Sequence, residues 1–174
     1  MSKYWEEFYK RFRITEPSDF AKFCKDKTTA HVLDLGCGNG RDTLYLCGVG
    51  IDAAAPDKYP LIKMDMEDFI SNHRCSGQTA YMRWFLHSIP EKLEDKILKW
   101  CDGQVMIEAR AKGDESFEKG HYRRLIDPDK LNKKLQKLGF KIDYIRVGYG
   151  MAIQGDNDPY LVRVIAHKEA HEQD

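Results

Sequence analysis

The stretch Val32-Leu33-Asp34-Leu35-Gly36-Cys37-Gly38-Asn39-Gly40-Arg41-Asp42 restricts the fold of this chain more than any other. A short apolar run ends in glycines at 36, 38 and 40, and the residues from Arg41 to Leu46 then have the pattern of a helix start. Glycine lets the backbone turn sharply off a strand and bring its N–H groups against a ligand where a helix begins. Such a loop is the mark of a nucleotide-type cofactor. A dinucleotide fingerprint, GxGxxG, would place its third glycine at position 41, where this chain has arginine. The spacing here is GxGxG.

The rest of the chain fits a parallel sheet around that loop. Apolar segments in HVLDLG, GVGIDAA, YPLIKMD, AYMRWFLHSI, QVMIEARA, FKIDYIRVGYGMA and YLVRVIAHK each have strand length. Pro90 to Trp100 and Asp127 to Leu138 carry helical spacing and stop near Gly103 and Gly139. Residues 1–27 read as helix interrupted at Glu16-Pro17, with Ser18 as N-cap of the second piece. Strands alternating with helices predict an α/β fold: a mainly parallel seven-stranded sheet with helices on both faces. The last two strands are joined by QGDNDP without a helix, which predicts an antiparallel hairpin.

A length of 174 residues is that of one domain, expected to span 1–174 with an N-terminal helical cap over 1–27 and a core over 30–168. Lys plus Arg and Asp plus Glu are 28 each, which excludes a whole-molecule positive field for nucleic acid or an anionic membrane. The start has no leader-like apolar run, and no segment approaches the roughly 18 apolar residues of a spanning helix. A cytoplasmic protein is expected. Five cysteines without a CxxC pair argue against a disulfide framework. His167 and His171, four apart in the tail, lack partners of zinc-site spacing, so no metal is expected.

With Asp34 two residues before the first glycine, the loop resembles the first motif of class I S-adenosylmethionine-dependent methyltransferases. The resemblance implies a Rossmann-like methyltransferase fold and S-adenosyl-L-methionine as cofactor. It places Asp34 near the methionine amino group and brings Gly36, Cys37, Gly38, Asn39 and Gly40 to the cofactor. It also assigns Asp52 of Gly50-Ile51-Asp52 to the ribose hydroxyls and Asp65 to the adenine amino group, with Met66 along the ring; Glu67 or Asp68 is the acid instead if the loop is shifted. The fourth strand, Arg83 to Ile89, ends beside the methyl group in that family. This adds Phe85 to the cofactor set, although Trp84 and Phe85 are more often core residues. Order and element type agree with the family over about residues 30 to 168.

The chain departs from the family in one place. The ribose acid usually lies about 20 residues beyond the glycine loop, whereas Gly40 to Asp52 is 12. The first helix is therefore expected to be one or two turns or absent, and Asp52 to Leu61 is too short for a crossover helix. The aromatic N-terminal segment, Tyr4, Trp5, Phe8, Tyr9 and Phe12, is the expected replacement wall, with Tyr4 or Tyr9 and the following Arg13 closing over the cofactor. An amphipathic helix packed on the core is the alternative. Tyr4-Trp5, the EPSDF segment, GCGNGRD, WFLHSI and HYRR further resemble a bacterial subgroup that includes the methyltransferase part of enzymes capping O-antigen polysaccharides, which act on a glycan terminus or its phosphate.

A sulfonium methyl is transferred by in-line displacement, so catalysis rests largely on placing the acceptor. A sugar hydroxyl needs a base, and His87 and His121 are the candidates. A phosphate or carboxylate instead needs arginines to orient it, and Arg83, Arg123 and Arg124 are the candidates. Arg83 has a structural alternative, pairing with Glu108 on the neighbouring strand. The expected activity is O-methylation of a polar or anionic small molecule or glycan. A non-catalytic module binding cofactor or a partner is the alternative raised by the shortened 41–61 region. A nucleic-acid methyltransferase is disfavoured, because charge is balanced and the fourth strand lacks an N/D-P-P-Y type string for a flipped base.

Overall fold

The computed structural model describes residues 2–11, 14–114 and 123–169. Helix α1 spans Ser2–Arg11 and α2 Asp19–Cys24. The sheet begins with β1 (Val32–Leu35), followed by α3 (Arg41–Tyr45), β2 (Val49–Asp52), β3 (Leu61–Lys63), α4 (Met66–Asn72) and β4 (Thr79–Arg83). Then come α5 (Glu91–Trp100), β5 (Gln104–Arg110), α6 (Pro128–Lys137), β6 (Lys141–Gly148) and β7 (Leu161–His167). The seven strands lie in the order β3-β2-β1-β4-β5-β7-β6. Neighbours from β3 to β5 are parallel, and β7 runs antiparallel to both β5 and β6. Strand order reverses at the β1/β4 boundary, so a crevice opens there at the carboxyl ends.

Alternation along the central strands sorts side chains to two faces. Ala80 and Met82 of β4, with Val105, Ile107 and Ala109 of β5, join Phe69 of α4, Ile97 and Leu98 of α5, and Leu131 and Leu135 of α6 in the larger core. Tyr81 and Met106 point the other way, against Phe20, Ala21 and Cys24 of α2 and Leu46. The larger face is covered by helices that follow their strands. The smaller one is covered by α2, because α3 is only five residues long and no helix joins β2 to β3. The shortening read from the sequence is real, and the N-terminal segment compensates in two pieces. Helix α2 covers the sheet, and α1 stands at the crevice.

Local chemistry explains the elements. Ser18 caps α2 by accepting from the Ala21 amide at 3.0 Å. Its own amide and hydroxyl donate to Asp42 at 2.8 and 2.7 Å, and the Tyr81 hydroxyl donates to the same carboxylate at 2.8 Å. One buried carboxylate thus ties α2, α3 and β4 together. The fourth strand is shorter than its apolar run predicts. It stops at Arg83, Trp84 adopts φ +55°, and Leu86–Ser88 form a 3-10 turn. A left-handed conformation at a bulky residue costs energy and is held only where the surroundings demand it.

Among the described residues, no helix is long and apolar enough to cross a membrane, and no group of three or more His, Cys, Asp or Glu could hold a metal ion. His167 Nδ1 lies in a 2.7 Å hydrogen bond with the Asp143 carboxylate, which accepts, and His171 lies outside the described residues.

Candidate functional site

A cavity of about 580 Å³ lies over the carboxyl ends of β1, β2 and β4, within the range of small-molecule sites. Gly36, Cys37 and Asn39 of the glycine loop form its floor, while Gly38 and Gly40, expected there too, are not part of the lining. Gly36 and Gly38 have φ of +78° and +57°, conformations that side chains rarely adopt. A Cβ at Gly36 would overlap the Phe85 ring, and one at Gly38 would overlap the Tyr9 phenol. Gly40, at the start of α3, abuts Leu61, which sits 2.5 Å from where its Cβ would be.

Three acids border this floor. Asp34 is buried, and its Oδ2 accepts from the Thr43 hydroxyl at 2.6 Å. Burial pushes its carboxyl up to about 7; the Thr43 hydrogen bond pulls down, and the charges of Asp42 and Asp52 push further up. Asp52 accepts from the amides of Gly38 and Ala54 at 3.0 and 2.7 Å, and burial raises its carboxyl despite those bonds. Asp65 caps α4 through the Glu67 amide at 2.9 Å and lines the cavity with Met66. Asn39 lines it too, while its side-chain amide holds the Ile14 carbonyl at 2.8 Å. Cys37 packs near Gly50. Burial, with the charges of Asp34 and Asp52, pushes its thiol well above the usual range, so it is no nucleophile near neutrality.

The opposite wall is aromatic. Tyr4, Trp5, Phe8 and Tyr9 come from α1, and Trp84 and Phe85 from the end of β4. Burial, together with the negative charges of Asp52 and Asp34, raises the Tyr9 phenol. Helix α1 is tied to the sheet edge by Glu6, which accepts from Lys63 at 2.9 Å.

Arg83, Arg123 and His87 also line the cavity. Arg83 Nε stands 3.3 Å from Glu108 Oε1, the cross-strand pairing that its mid-strand position suggested. Glu108 also accepts from Trp84 Nε1 at 2.9 Å and Arg163 Nε at 2.6 Å. The Trp84 ring has guanidinium groups of Arg83 and Arg110 at 4.7 and 5.1 Å from its centroid.

His87 and Arg124, both expected at the acceptor, make contacts of their own within the fold. His87 is buried, and its Nδ1 lies 3.0 Å from the Arg110 amide nitrogen. An amide N–H can only donate, so Nδ1 is the acceptor and the neutral ring carries its proton on Nε2. Arg124 is absent from the cavity wall. Its guanidinium is spent on the carbonyls of Ile89 and Leu86, at 2.8 and 3.1 Å, and on Glu94. It locks the loop before α6 onto the 3-10 turn, where the Arg124 amide also meets the His87 carbonyl at 2.8 Å. Arg13 and His121 lie outside the described residues.

Comparison with known proteins places this geometry. A model of the family described as tellurite resistance protein TehB matches residues 2–82. No curated protein matches the chain. Among solved structures, a protein from Methanosarcina mazei described as a SAM-dependent methyltransferase is 19% identical, with TM-score 0.62 over 79% of this chain and 92% of that one. A 1,6-didemethyltoxoflavin-N1-methyltransferase from Burkholderia thailandensis, solved with S-adenosylhomocysteine, is 16% identical, with TM-score 0.64 over 86% of this chain and 76% of that one. A possible histamine N-methyltransferase from Thermotoga maritima is 13% identical, with TM-score 0.63 over 97% and 98%. This chain has the class I S-adenosylmethionine-dependent methyltransferase fold.

In terms of that methyltransferase fold, Asp34, Gly36, Cys37, Asn39, Asp52, Asp65, Met66, Phe85 and Tyr9 all meet at one cavity. The donor set fits an S-adenosylmethionine-type ligand on one observation: among the described residues no cation pairs with Asp34, whose buried carboxyl borders the cavity. A ligand ammonium would supply the missing charge. Sequence reasoning missed Arg41 and undervalued Trp84. Arg41 lines the cavity from the position where a dinucleotide loop has glycine, and that substitution was the available signal. Trp84 reads as core because its run is apolar, and only its backbone turn brings it to the cavity.

Proposed function

We propose that this chain is an S-adenosylmethionine-dependent methyltransferase acting on an oxygen of a small polar or anionic molecule, or of the terminal group of a glycan. When bound, the cofactor supplies a sulfonium-activated methyl carbon. Asp34 would hold the ammonium of its methionine end, and Asp52 the ribose hydroxyls beside the glycine loop. Asp65 and Met66 would take the adenine. Tyr9, lying on the loop, would exclude water from that end.

The observation that carries the reading is the buried, cation-lacking Asp34 at the wall of a cavity floored by the glycine loop. The His87 tautomer favours an acceptor that is already ionised. With its proton on Nε2, His87 would donate to an anionic oxygen, and Arg83 and Arg123 would neutralise it. No base is then required. The description of the family matched over residues 2–82, tellurite resistance, is in keeping with a small oxyanion among the acceptors.

Calorimetry of the purified chain with S-adenosylhomocysteine tests the cofactor half, and micromolar binding is expected. Absence of binding would overturn the reading. A panel of carboxylates, phosphates and sugar phosphates with S-adenosylmethionine, followed by mass spectrometry, tests the acceptor half: methylation is expected for ionised oxygens. Methylation confined to neutral hydroxyls would overturn the preference for anions.

A further inference from the structure

A second hollow, of about 110 Å³, adjoins the main cavity. Arg41, Arg83 and Gln154 line both, and Ser18, Glu108 and Ala152 contribute other parts of the smaller wall. It has room for several water-sized groups.

Two acids line the hollow with the two arginines: Asp19, whose side chain is 62% exposed and pairs with Lys22 at 3.9 Å, and the buried Glu108. Glu108 serves two arginines and one indole at once, as described above. Arg83 Nε is buried and, among the described residues, has no hydrogen-bond partner, although it stands 3.3 Å from Glu108 Oε1. Arg41 has no carboxylate within ion-pair distance among the described residues; its guanidinium donates to the Glu16 carbonyl at 3.0 Å. Asp42, the next acid along, is already occupied by Ser18 and Tyr81. Burial and then the charge of Arg83 push the Arg41 guanidinium below its usual range. Two half-buried cations and an orphan donor around a small hollow match an oxyanion, which supplies both charge and acceptor lone pairs.

We propose that this hollow is a second anion subsite, in which Arg41 and Arg83 seat an oxyanion group of the acceptor distinct from the oxygen that receives the methyl group. The inference rests on the methyltransferase reading above and narrows it to acceptors with two anionic groups, such as a dicarboxylate or a phosphorylated acid. Because Arg83 lines both spaces, the two groups of the acceptor lie within a short reach of each other. The other source of the same chemistry is the carboxylate of the cofactor's methionine end. That source is disfavoured because the hollow is walled by Glu108 of β5 and by Ala152 and Gln154 of the β6–β7 connection, not by the β1 and β2 ends that carry Asp34 and Asp52.

Inorganic phosphate and S-adenosylhomocysteine are titrated into the purified full chain, singly and together, by calorimetry and thermal melting. Phosphate is expected to bind saturably in both states, each ligand changing the other's affinity by less than about twofold. Arg41→Gln is expected to weaken phosphate about tenfold, the worth of one charged hydrogen bond, and S-adenosylhomocysteine by a much smaller factor, below about threefold. Gln154→Glu, at an exposed loop position, is expected to weaken phosphate in a protein whose own melting is unaltered. The subsite is overturned if phosphate does not saturate or if neither variant affects it. It is equally overturned if phosphate and S-adenosylhomocysteine compete while Arg41→Gln weakens the latter beyond that small factor, for then the arginine serves the cofactor. Phosphate binding through Arg41 without any binding of S-adenosylhomocysteine would instead remove the methyltransferase reading and leave an anion site.

Discussion

The phenol of Tyr9 lies on Gly38, filling the space that any side chain at the second glycine of the loop would need. An N-terminal helix and a loop after β1, far apart in sequence, thus share one wall of the cavity. Gly38→Ala introduces both this overlap and a left-handed alanine at φ +57°, at a cost of about 1–2 kcal/mol. It is expected to weaken S-adenosylhomocysteine binding by more than about tenfold. Adding Tyr9→Ala is expected to recover part of the lost melting temperature but not the backbone strain. Calorimetry and melting of the two variants check both statements.

Asp34 gives the protein a characteristic pH response. Its carboxyl is pushed up to about 7 in the fold, chiefly by burial, whereas an unfolded aspartate titrates near 3.9. Between about pH 4 and 7 the folded state therefore retains a proton that the unfolded chain has released. Stability from this group falls as pH rises across that window. Asp34→Asn removes the slope, so the two proteins' stability curves should diverge by an amount on the order of a few kcal/mol. A ligand ammonium favours the carboxylate, so wild-type affinity for S-adenosylhomocysteine should rise with pH up to about 7 and that of Asp34→Asn should not. Urea unfolding and calorimetry across pH 4.5 to 8 measure both, and parallel curves would refute the assignment.

The proton of His87 is expected on Nε2, because Nδ1 accepts from the Arg110 amide. Long-range nitrogen-15 correlation spectra of the histidine rings read the tautomer directly. An Nδ1–H form would mean that this hydrogen bond is not made and would favour His87 as a base.

Arg124 is expected to act on stability alone. Arg124→Ala removes the contacts to Ile89, Leu86 and Glu94 and should cost about 2 kcal/mol, in the range of a charged hydrogen bond. The loss is limited because Lys134 still pairs with Glu94 at 2.6 Å. Affinity for S-adenosylhomocysteine below the melting transition should stay unchanged, and a selective loss of binding would place Arg124 in the site.

The sheet was readable because its signals are local. Apolar runs of strand length, two helical patterns and a helix-free last connection sufficed for seven strands and an antiparallel end. The short crossover between Gly40 and Leu61 was readable by counting residues. The division of labour between α1 and α2 was not, since both are aromatic and only packing decides which face each meets. Arg123 and Arg124 are adjacent and chemically identical in sequence. The structure turns one to the cavity and ties the other to Glu94.

By itself, the sequence determined the strand and glycine loop, the acids at 34, 52 and 65, and hence the kind of ligand the crevice suits. These depend on spacing along the backbone, which neighbours in sequence set. Tertiary structure alone decided which cations remain unsatisfied, which ring nitrogen of His87 carries the proton, and that Arg41 and Arg83 share a hollow. Those properties follow from partners brought together across strands, and burial makes each such partner, or its lack, count.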